Sequence, residues 1–278
     1  MSLRIVTLME DLLPENSELV CEHGLSIYIE MNGVKILFDT GQSGQFIKNA
    51  ENLGIDLSDL QYVIMSHGHY DHTGGLKELV AAVGNPFQLI LGQDFFKKRY
   101  KFDGENRISI GSGFDKKYVR FHNIDMKQVT EDIYPVAKDI AVISNFDHNV
   151  NVECLNRKFY KEQKKKLVQD NFKDEIALVL TLEEGAIAVL GCSHPGVVNI
   201  LSTVERRLGT KLYGVIGGTH LIEADDQMLR ETVTYFKQRD RLRLLSMFHC
   251  TGEKASRIFE KEFNKQFVQN YIGNEIQL

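Results

Sequence analysis

Three histidines and one aspartate lie within the segment His67-Gly68-His69-Tyr70-Asp71-His72. Imidazole nitrogens and carboxylate oxygens together suit zinc, iron or manganese. At the end of an extended strand His67 and His69 point to the same side, and a turn at Asp71-His72 would aim a second pair of ligands at a second metal. Glycine lets the backbone turn tightly beneath such a crowded site. The alternative, a polar turn with structural histidines, would bury many polar groups without partners, which is costly.

The elements expected around this segment alternate between strands and helices. Residues 26–30 and 34–38 read as strands, and Asn32-Gly33 between them predicts a hairpin because both positions tolerate a positive φ. After the second strand and Asp39-Thr40-Gly41, a helix is expected with Ser43 as its cap. A short buried strand at 62–65 then leads directly into the histidines.

The rest of the chain continues this alternation, except for a less regular stretch at about 94–171, which we interpret as an elaboration on the core. Hairpins followed by alternating strands and helices favour sheets covered by helices. Without a repeat or a Pro/Ser-rich linker, one domain over 1–278 is the simpler prediction. The remaining predicted elements are a helix around 76–83, strands at 87–91, 176–182, 186–190, 213–216 and 242–247, helices at 197–208, 226–237 and 253–263, and a closing strand pair at 267–278.

Composition excludes several classes of protein. Of 278 residues, 43% are apolar and 26% charged, values that are ordinary for a globular enzyme, and the net charge of −5 disfavours nucleic acid as a partner. No apolar run approaches the ~20 residues that span a bilayer. The first residues turn acidic too early for a secretory signal, so the cytoplasm is expected and a membrane partner is not.

The four cysteines are widely scattered and have no zinc-ribbon spacing. Cys21 and Cys154 are expected to be small buried hydrophobic residues. Cys192 and Cys250 stand beside histidine motifs, and their roles stay open.

His67-x-His69-x-Asp71-His72 resembles the metal-binding signature of the metallo-β-lactamase superfamily, and further motifs resemble one branch of it. That branch includes archaeal dihydropterin–ribofuranosylaminobenzene phosphate synthases, and the resemblance spans nearly the whole chain, weakest at about 94–171. It implies an α/β (α+β) fold, the four-layer αββα sandwich in which two mixed β-sheets pack face to face with helices outside. The motifs that carry it are Glu22-His23-Gly24-Leu25-Ser26, Leu37-Phe38-Asp39-Thr40-Gly41, Gly191-Cys192-Ser193-His194-Pro195-Gly196, Gly217-Gly218-Thr219-His220-Leu221 and His249-Cys250-Thr251-Gly252.

The resemblance implies two divalent metal ions, zinc first, with iron or manganese as alternatives. It assigns His67 and His69 to the first metal and Asp71 and His72 to the second. His249 is the expected last ligand of the second metal. His194 is the candidate third ligand of the first metal.

The chain departs from the family pattern where most relatives carry a bridging aspartate. Gly191-Cys192 follows the strand at 186–190 instead. Cys192 is therefore expected either as a ligand or as a residue behind the ligands, or water alone bridges the metals. Asp174 and Glu175 are further carboxylates of interest.

Several other residues are expected near the site. Asp39 resembles the family's aspartate that orients a metal-bound histidine, although it could be an ordinary turn residue. His23 resembles a position near the site entrance. Asp71 and His220 are the candidate catalytic residues, with His220 either stabilising developing charge or serving only as a structural histidine. His122 and His148, which lack such a context, are expected to be loop or surface histidines rather than ligands.

The expected substrate is an anionic small molecule. Lys97 and Arg99, in a basic run that includes Lys98 and Lys101, are the candidate phosphate ligands, and a solvated surface run is the alternative. The two metals would share a hydroxide that attacks a phosphorus or carbonyl centre. Flavodiiron relatives carry glutamate where this chain has His69, which favours hydrolysis or group transfer over redox chemistry.

Three functions compete at this point. The first is a binuclear metal-dependent hydrolase of the phosphodiesterase or phosphoesterase type. The second is a transferase, a pterin-pathway synthase that joins an aminobenzoate to a phosphorylated ribose. The third is a non-catalytic metal- or ligand-binding module, which need not keep six ligands. A homodimer is a further expectation.

Overall fold

A computed structural model describes residues 2–15, 17–148 and 158–278, so Cys154 lies outside the described residues. The strands are β1 Leu3–Met9, β2 Ser26–Met31, β3 Val34–Phe38, β4 Tyr62–Met65, β5 Gln88–Gly92, β6 Arg99–Asp103, β7 Asn106–Ser109, β8 Asp125–Val129, β9 Ile133–Ala137, β10 Ile140–Ile143, β11 Phe159–Gln163, β12 Lys166–Gln169, β13 Ala177–Thr181, β14 Ala186–Leu190, β15 Leu212–Gly217, β16 Leu244–Met247 and β17 Glu275–Gln277. The helices are α1 Gln45–Asn52, α2 Tyr70–Thr73, α3 Leu76–Val83, α4 Lys116–Phe121, α5 Val197–Leu208, α6 Asp226–Lys237 and α7 Glu253–Glu262, with 3₁₀ turns at Leu221–Glu223 and His249–Thr251.

The chain divides into two compact units. The first comprises Met1–Val129, Arg157–Asp174 and Tyr271–Leu278, and the second Thr130–Asn156 and Glu175–Asn270. Among the described residues no helix is both long and apolar enough to cross a bilayer.

A mixed seven-stranded sheet in the order β17-β1-β2-β3-β4-β5-β8 forms the frame of the first unit. The predicted hairpin is confirmed: β2 and β3 pair antiparallel, and Asn32 and Gly33 between them have φ of 51° and 81°. From β3 onward the strands run parallel. The helices pack on this sheet through apolar stripes such as Leu76, Leu79 and Val80, which are buried in the core as their helical spacing predicts.

Helix α1 begins one residue later than its predicted cap requires. Gly44, not Ser43, is its N-cap. The Ser43 hydroxyl donates to Glu22 Oε2 at 2.7 Å and accepts the Gln45 amide at 3.3 Å, so it ties the helix start to a preceding loop. Cys21 in that loop is exposed, not buried as expected, because the described residues between 10 and 24 form no strand or helix that could cover it.

Part of the less regular stretch forms a separate four-stranded antiparallel sheet within the first unit, in the order β12-β11-β6-β7, while β8, β9 and β10 join the two larger sheets. This sheet is only partly buried: in Arg99–Asp103 only Arg99 is buried, and in Phe159–Gln163 only Phe159 and Lys161 are. We call this sheet, together with the chain from 170 to 174, the insert.

The second unit has its own mixed six-stranded sheet, in the order β16-β15-β14-β13-β10-β9. The predicted hairpin at Glu183-Glu184-Gly185 is confirmed by antiparallel pairing of β13 with β14. Strands β14, β15 and β16 are parallel, as strand–helix–strand connections favour. Helices α5 and α6 have the bounds predicted from their apolar periodicity, and α7 ends one residue early.

The prediction of a closing strand pair at 267–278 is wrong. Glu275–Gln277 pairs with β1, a strand that the sequence analysis did not predict. Phe267 instead makes an isolated parallel bridge to Leu245 in the second unit. Phe267 and Glu275–Gln277 therefore lie at the edges of different sheets and do not pair with each other.

Candidate metal centre

The histidine segment lies in the first unit, immediately after β4. His67, His69, Asp71 and His72 are all buried, none more than 7% exposed. The His67 ring centroid lies 4.4 Å from that of His69 and 4.2 Å from that of His72. Four buried nitrogen and carboxylate donors this close together match the donor chemistry that zinc, iron or manganese requires.

A hydrogen-bond relay behind the cluster fixes the orientation of two of its histidines. His72 Nδ1 lies 2.7 Å from Asp39 Oδ2, and the Ser66 hydroxyl donates to the same oxygen at 2.7 Å. His67 Nδ1 lies 2.9 Å from that hydroxyl. Because Asp39 can only accept, these contacts favour the tautomer in which Nδ1 carries the proton and Nε2 the lone pair, the form that binds metal.

The Asp39 carboxylate is itself held rigidly. Asp39 adopts φ of 61° at the end of β3, a left-handed conformation that is uncommon outside glycine. Its Oδ1 accepts the Ser66 amide at 2.7 Å, and its backbone carbonyl accepts the Ser26 hydroxyl at 3.0 Å. The aspartate is thereby fixed from three sides before any metal binds.

Asp39→Asn is expected to weaken metal binding by roughly 10- to 100-fold, because loss of the negative charge removes the preference for the Nδ1-protonated tautomer of His72. Competition with a chromophoric chelator measures the change. Asp59→Asn is the matched control, since Asp59 belongs to the same unit but is exposed, and its carboxylate pairs with Lys35 Nζ at 2.5 Å. Equal affinities for the two variants would contradict the orienting role.

The loop after Asp39 lies directly against the end of the histidine segment. The Thr40 amide donates to the His72 carbonyl at 2.7 Å, and the Gly74 amide donates to the Gly41 carbonyl at 2.9 Å. A Cβ atom at Gly74 would lie 2.0 Å from the Gln42 carbonyl oxygen. Glycine is therefore required at this point so that the two backbones can touch.

His23 lies beside Asp71, as expected for a residue at the edge of the site. Its Nε2 is 3.4 Å from Asp71 Oδ2, and its Nδ1 is 3.1 Å from Asp11 Oδ2. The His23 side chain is exposed, whereas Asp71 is buried. His23 therefore places an exposed imidazole between the Asp71 and Asp11 carboxylates.

The insert covers the side of the cluster that carries His69. The His69 ring stacks on Phe159 with a centroid distance of 5.7 Å and meets the edge of Phe172 at 6.1 Å. The His69 backbone forms a bridge with Gly111. Aromatic walls of this kind exclude water and limit the rotamers of the ring.

The expectation that Arg99 binds substrate is wrong. Arg99 is fully buried in the insert, with Nε donating to Asp170 Oδ2 at 2.9 Å and Nη1 to the Phe95 carbonyl at 2.8 Å. Its Nη2 pairs with Asp174 Oδ1 at 2.5 Å. Protein oxygens engage the whole guanidinium, so it is not available to a ligand. Lys97 is half-buried, and its role in substrate binding stays a prediction.

The second unit has its own group of candidate ligands, and the loop after β14 carries two of them, Cys192 and His194. Glu175 holds this loop by accepting the amides of Ser193 and His194, the latter at 2.9 Å. The Ser193 hydroxyl donates to the Gly218 carbonyl at 2.7 Å, which ties the loop to the end of β15. Glu175 is thus a carboxylate that positions backbone around a candidate ligand.

Two further loops of the second unit meet this one. The His194 and His220 ring centroids are 4.4 Å apart. Potential ligand atoms of Cys192, His220 and Cys250 lie within 4.8 Å of one another. Burial opposes ionisation of the Cys250 thiol, but hydrogen bonds with Cys192 and His220 and the charge of His249 hold its pKa well below its usual value.

The backbone of these loops is strained at three residues. Ser193, His220 and His249 adopt φ of 63°, 49° and 54°, in the left-handed region that glycine tolerates best. Each such residue costs of order 1–3 kcal/mol, and such residues cluster at functional sites. His249 begins the 3₁₀ turn that follows β16 and carries Cys250.

Sequence reasoning missed one residue that matters here and left two others without a role. Ser66 links Asp39 to His67, and it could have been suspected because a hydroxyl residue directly precedes the first histidine. Asp174 and Glu175 were noted only as further carboxylates, and neither has a local motif that shows its partner. His122 packs on Tyr118 and His148 is exposed, and neither belongs to a candidate metal-ligand group among the described residues.

Comparison with known proteins connects this geometry with a family. A family model for the metallo-β-lactamase superfamily matches residues 19–143. The 7,8-dihydropterin-6-methyl-4-(β-D-ribofuranosyl)-aminobenzene-5′-phosphate synthase of Methanocaldococcus jannaschii is 31% identical over 99% of this chain and 97% of its own. This chain belongs to the metallo-β-lactamase superfamily. Its resemblance to the synthase branch is confirmed over nearly its full length.

Two further relatives agree with this placement. An uncharacterised protein of the same archaeon is 30% identical over 92% of this chain and 93% of its own. The crystal structure of Tm1679, described as a metal-dependent hydrolase of the β-lactamase superfamily, matches with a TM-score of 0.86 at 31% identity, covering 99% of each chain. The predicted metallo-β-lactamase fold is confirmed, and the relatives with assigned activities are metal-dependent hydrolases or synthases.

Proposed function

We propose that this member of the metallo-β-lactamase superfamily is a metal-dependent hydrolase that acts on a phosphorylated or otherwise anionic small molecule. The observation that best supports the proposal is the buried histidine cluster backed by the relay through Ser66 and Asp39. Structural histidines do not need a buried carboxylate that selects one tautomer, whereas metal-binding histidines commonly have one.

His67, His69, Asp71 and His72 would hold divalent metal, and the family resemblance adds His194 and His249 to the ligand set. Zinc is the first candidate, with iron or manganese as alternatives. Two such ions supply an acidified water molecule and neutralise charge that develops on the substrate.

Residues outside the histidine segment would bind the substrate or shape its surroundings. His23, an exposed side chain next to Asp71, would line the entrance to the site. The aromatic wall formed by Phe159 and Phe172 would keep bulk water away from His69 and strengthen electrostatic interactions there. His220 remains a candidate for stabilising charge in the transition state.

Removal of metal tests the proposal. Hydrolysis of bis(p-nitrophenyl) phosphate and p-nitrophenyl phosphate is expected to fall to background after dialysis against a chelator and to return with Zn²⁺ or Mn²⁺. Plasma mass spectrometry should find more than one metal per chain in the reconstituted protein. Less than one ion per chain would contradict the binuclear model, and turnover that survives complete metal removal would contradict the metal-dependent one.

The similarity to the archaeal synthase favours a second candidate, a pterin-pathway synthase. The compound in that relative's name combines a dihydropterin, an aminobenzene ring and a ribose phosphate. One assay would follow diphosphate release from phosphoribosyl diphosphate with aminobenzoate. Another would follow diphosphate release from a dihydropterin with a diphosphate on its 6-methyl carbon, given a ribofuranosylaminobenzene phosphate. Product formation with either pair, together with inert phosphoesters, would favour the synthase over the hydrolase.

A further inference from the structure

We propose that Asp174 and Arg99 are positioning residues that hold the turn between His67 and His69 in its metal-binding shape. This inference rests on the proposed metal-dependent function and adds a role for the insert. No motif of the family suggests it. It follows from contacts within the first unit.

Asp174 binds the peptide that joins the two ligands. Its Oδ2 accepts the Gly68 amide at 2.7 Å, and Gly68 stands directly between His67 and His69. Rotation of this peptide would swing both imidazoles at once. The hydrogen bond from the Gly68 amide to the Asp174 carboxylate therefore helps to fix the distance between the metal-binding nitrogens of His67 and His69. Charge-assisted hydrogen bonds of this kind are strong.

Arg99 keeps the Asp174 carboxylate in place. Asp174 is fully buried, and its Oδ1 lies 2.5 Å from Arg99 Nη2. Burial raises the pKa of Asp174, and the nearby Asp170 adds to the rise, while Arg99 and the Gly68 amide oppose it. Without the guanidinium, a buried carboxylate here would lack its counter-charge and would protonate or move.

The packing at Gly68 shows that the turn lies directly against this ion pair. A Cβ atom there would lie 2.6 Å from the Phe95 carbonyl oxygen and 2.9 Å from Arg99 Nη1. The Phe95 carbonyl also accepts from Arg99 Nη1 at 2.8 Å. The turn, the guanidinium and the Phe95 backbone thus form one contact surface with no room for a side chain.

Asp170 distinguishes positioning from general stabilisation. It is as buried as Asp174 and also binds Arg99, accepting from Nε at 2.9 Å. Its other oxygen accepts the Phe172 amide at 2.9 Å, in the insert and not in the histidine turn. A neutral isostere at either position weakens the same ion-pair network, but only the change at Asp174 also alters the contact with Gly68.

The experiment compares Asp174→Asn with Asp170→Asn in protein reconstituted with Co²⁺. For D174N we expect roughly tenfold weaker Co²⁺ affinity and a changed visible d–d spectrum, the size of effect that residues behind metal ligands commonly have. For D170N we expect affinity within about twofold of the parent and an unchanged spectrum, with a similar fall in melting temperature. Arg99→Lys keeps the positive charge but loses the planar guanidinium that binds several acceptors at once. Its spectrum should lie between those of the parent and D174N.

The outcomes separate this inference from the metal proposal on which it rests. A parent protein that binds no Co²⁺ would overturn both. A parent that binds Co²⁺ normally, with D174N and D170N changing affinity and spectrum to the same extent, would overturn the positioning role alone. If D174N fails to fold, an unchanged spectrum in R99K would overturn it as well.

Discussion

Replacing His72 with alanine is expected to lower metal-dependent turnover by roughly a thousandfold or more. His72 is fully buried, and its Nδ1 is bound by Asp39, which leaves Nε2 to bind metal. No other side chain of its turn is placed to replace this nitrogen as a ligand. The variant should also retain about one metal ion fewer than the parent after reconstitution. Turnover of a phosphodiester substrate and metal content by mass spectrometry measure the two effects.

His122→Ala is the matched control for this experiment. His122 lies at the end of a short helix of the first unit, as His72 lies within one, but it packs on Tyr118 and belongs to no candidate metal-ligand group among the described residues. It should keep full metal content and parental turnover. If H72A and H122A behave alike, the histidine segment is not the catalytic centre, whatever metal the protein binds.

Replacing Gly74 with alanine is expected to lower the free energy of unfolding by at least about 3 kcal/mol. The added Cβ would overlap the Gln42 carbonyl at 2.0 Å and approach the Tyr70 carbonyl at 2.9 Å. Both neighbours are backbone, so relief requires separation of the loop after β3 from the end of the histidine segment. Urea unfolding followed by circular dichroism measures the loss, and metal affinity should fall with it.

Gly111→Ala provides the comparison. Its Cβ would meet only the Arg99 amide nitrogen, at the ordinary contact distance of 3.5 Å. It should change the free energy of unfolding by no more than about 1 kcal/mol. A G74A protein as stable as G111A would show that the two backbones can separate at little cost.

The local elements of this fold could be read from the sequence because neighbouring residues determine them. Asn32-Gly33 fixes a hairpin through two positive φ angles, and the apolar spacing of residues 197–208 and 226–237 gives both helices with their observed bounds. The histidine segment was recognisable for the same reason, since its donors are adjacent along the chain.

Features that depend on residues far apart along the chain could not be predicted from the sequence. Arg99 stands in a basic run that resembles a solvated surface, yet two aspartates about seventy residues later bury it. Glu275–Gln277 was given the wrong partner because its three exposed or half-buried residues carry almost no pattern of their own. Its true partner, the strand Leu3–Met9, was not predicted at all.

At the candidate metal centre the ligands were easier to anticipate than the residues that orient them. Asp39 was singled out because a family motif carries it, whereas Ser66 was passed over although it touches both Asp39 and His67. Glu175 and Asp174 bind backbone amides, and a backbone amide leaves no trace in a sequence. Partners of this kind become visible only when the fold is known.

The pairing of β1 with β17 has a consequence for synthesis on the ribosome. The Leu3 and Leu278 backbones exchange hydrogen bonds, each 2.9 Å long, so β1 meets its outer neighbour only when residues 275–278 have been translated. Until then Leu3–Met9, whose side chains are nearly all buried in the finished protein, presents an open edge to other nascent chains. Aggregation during expression should therefore depend on how quickly β17 emerges after β1, and holding β17 inside the ribosomal tunnel with an arrest sequence should make it worse.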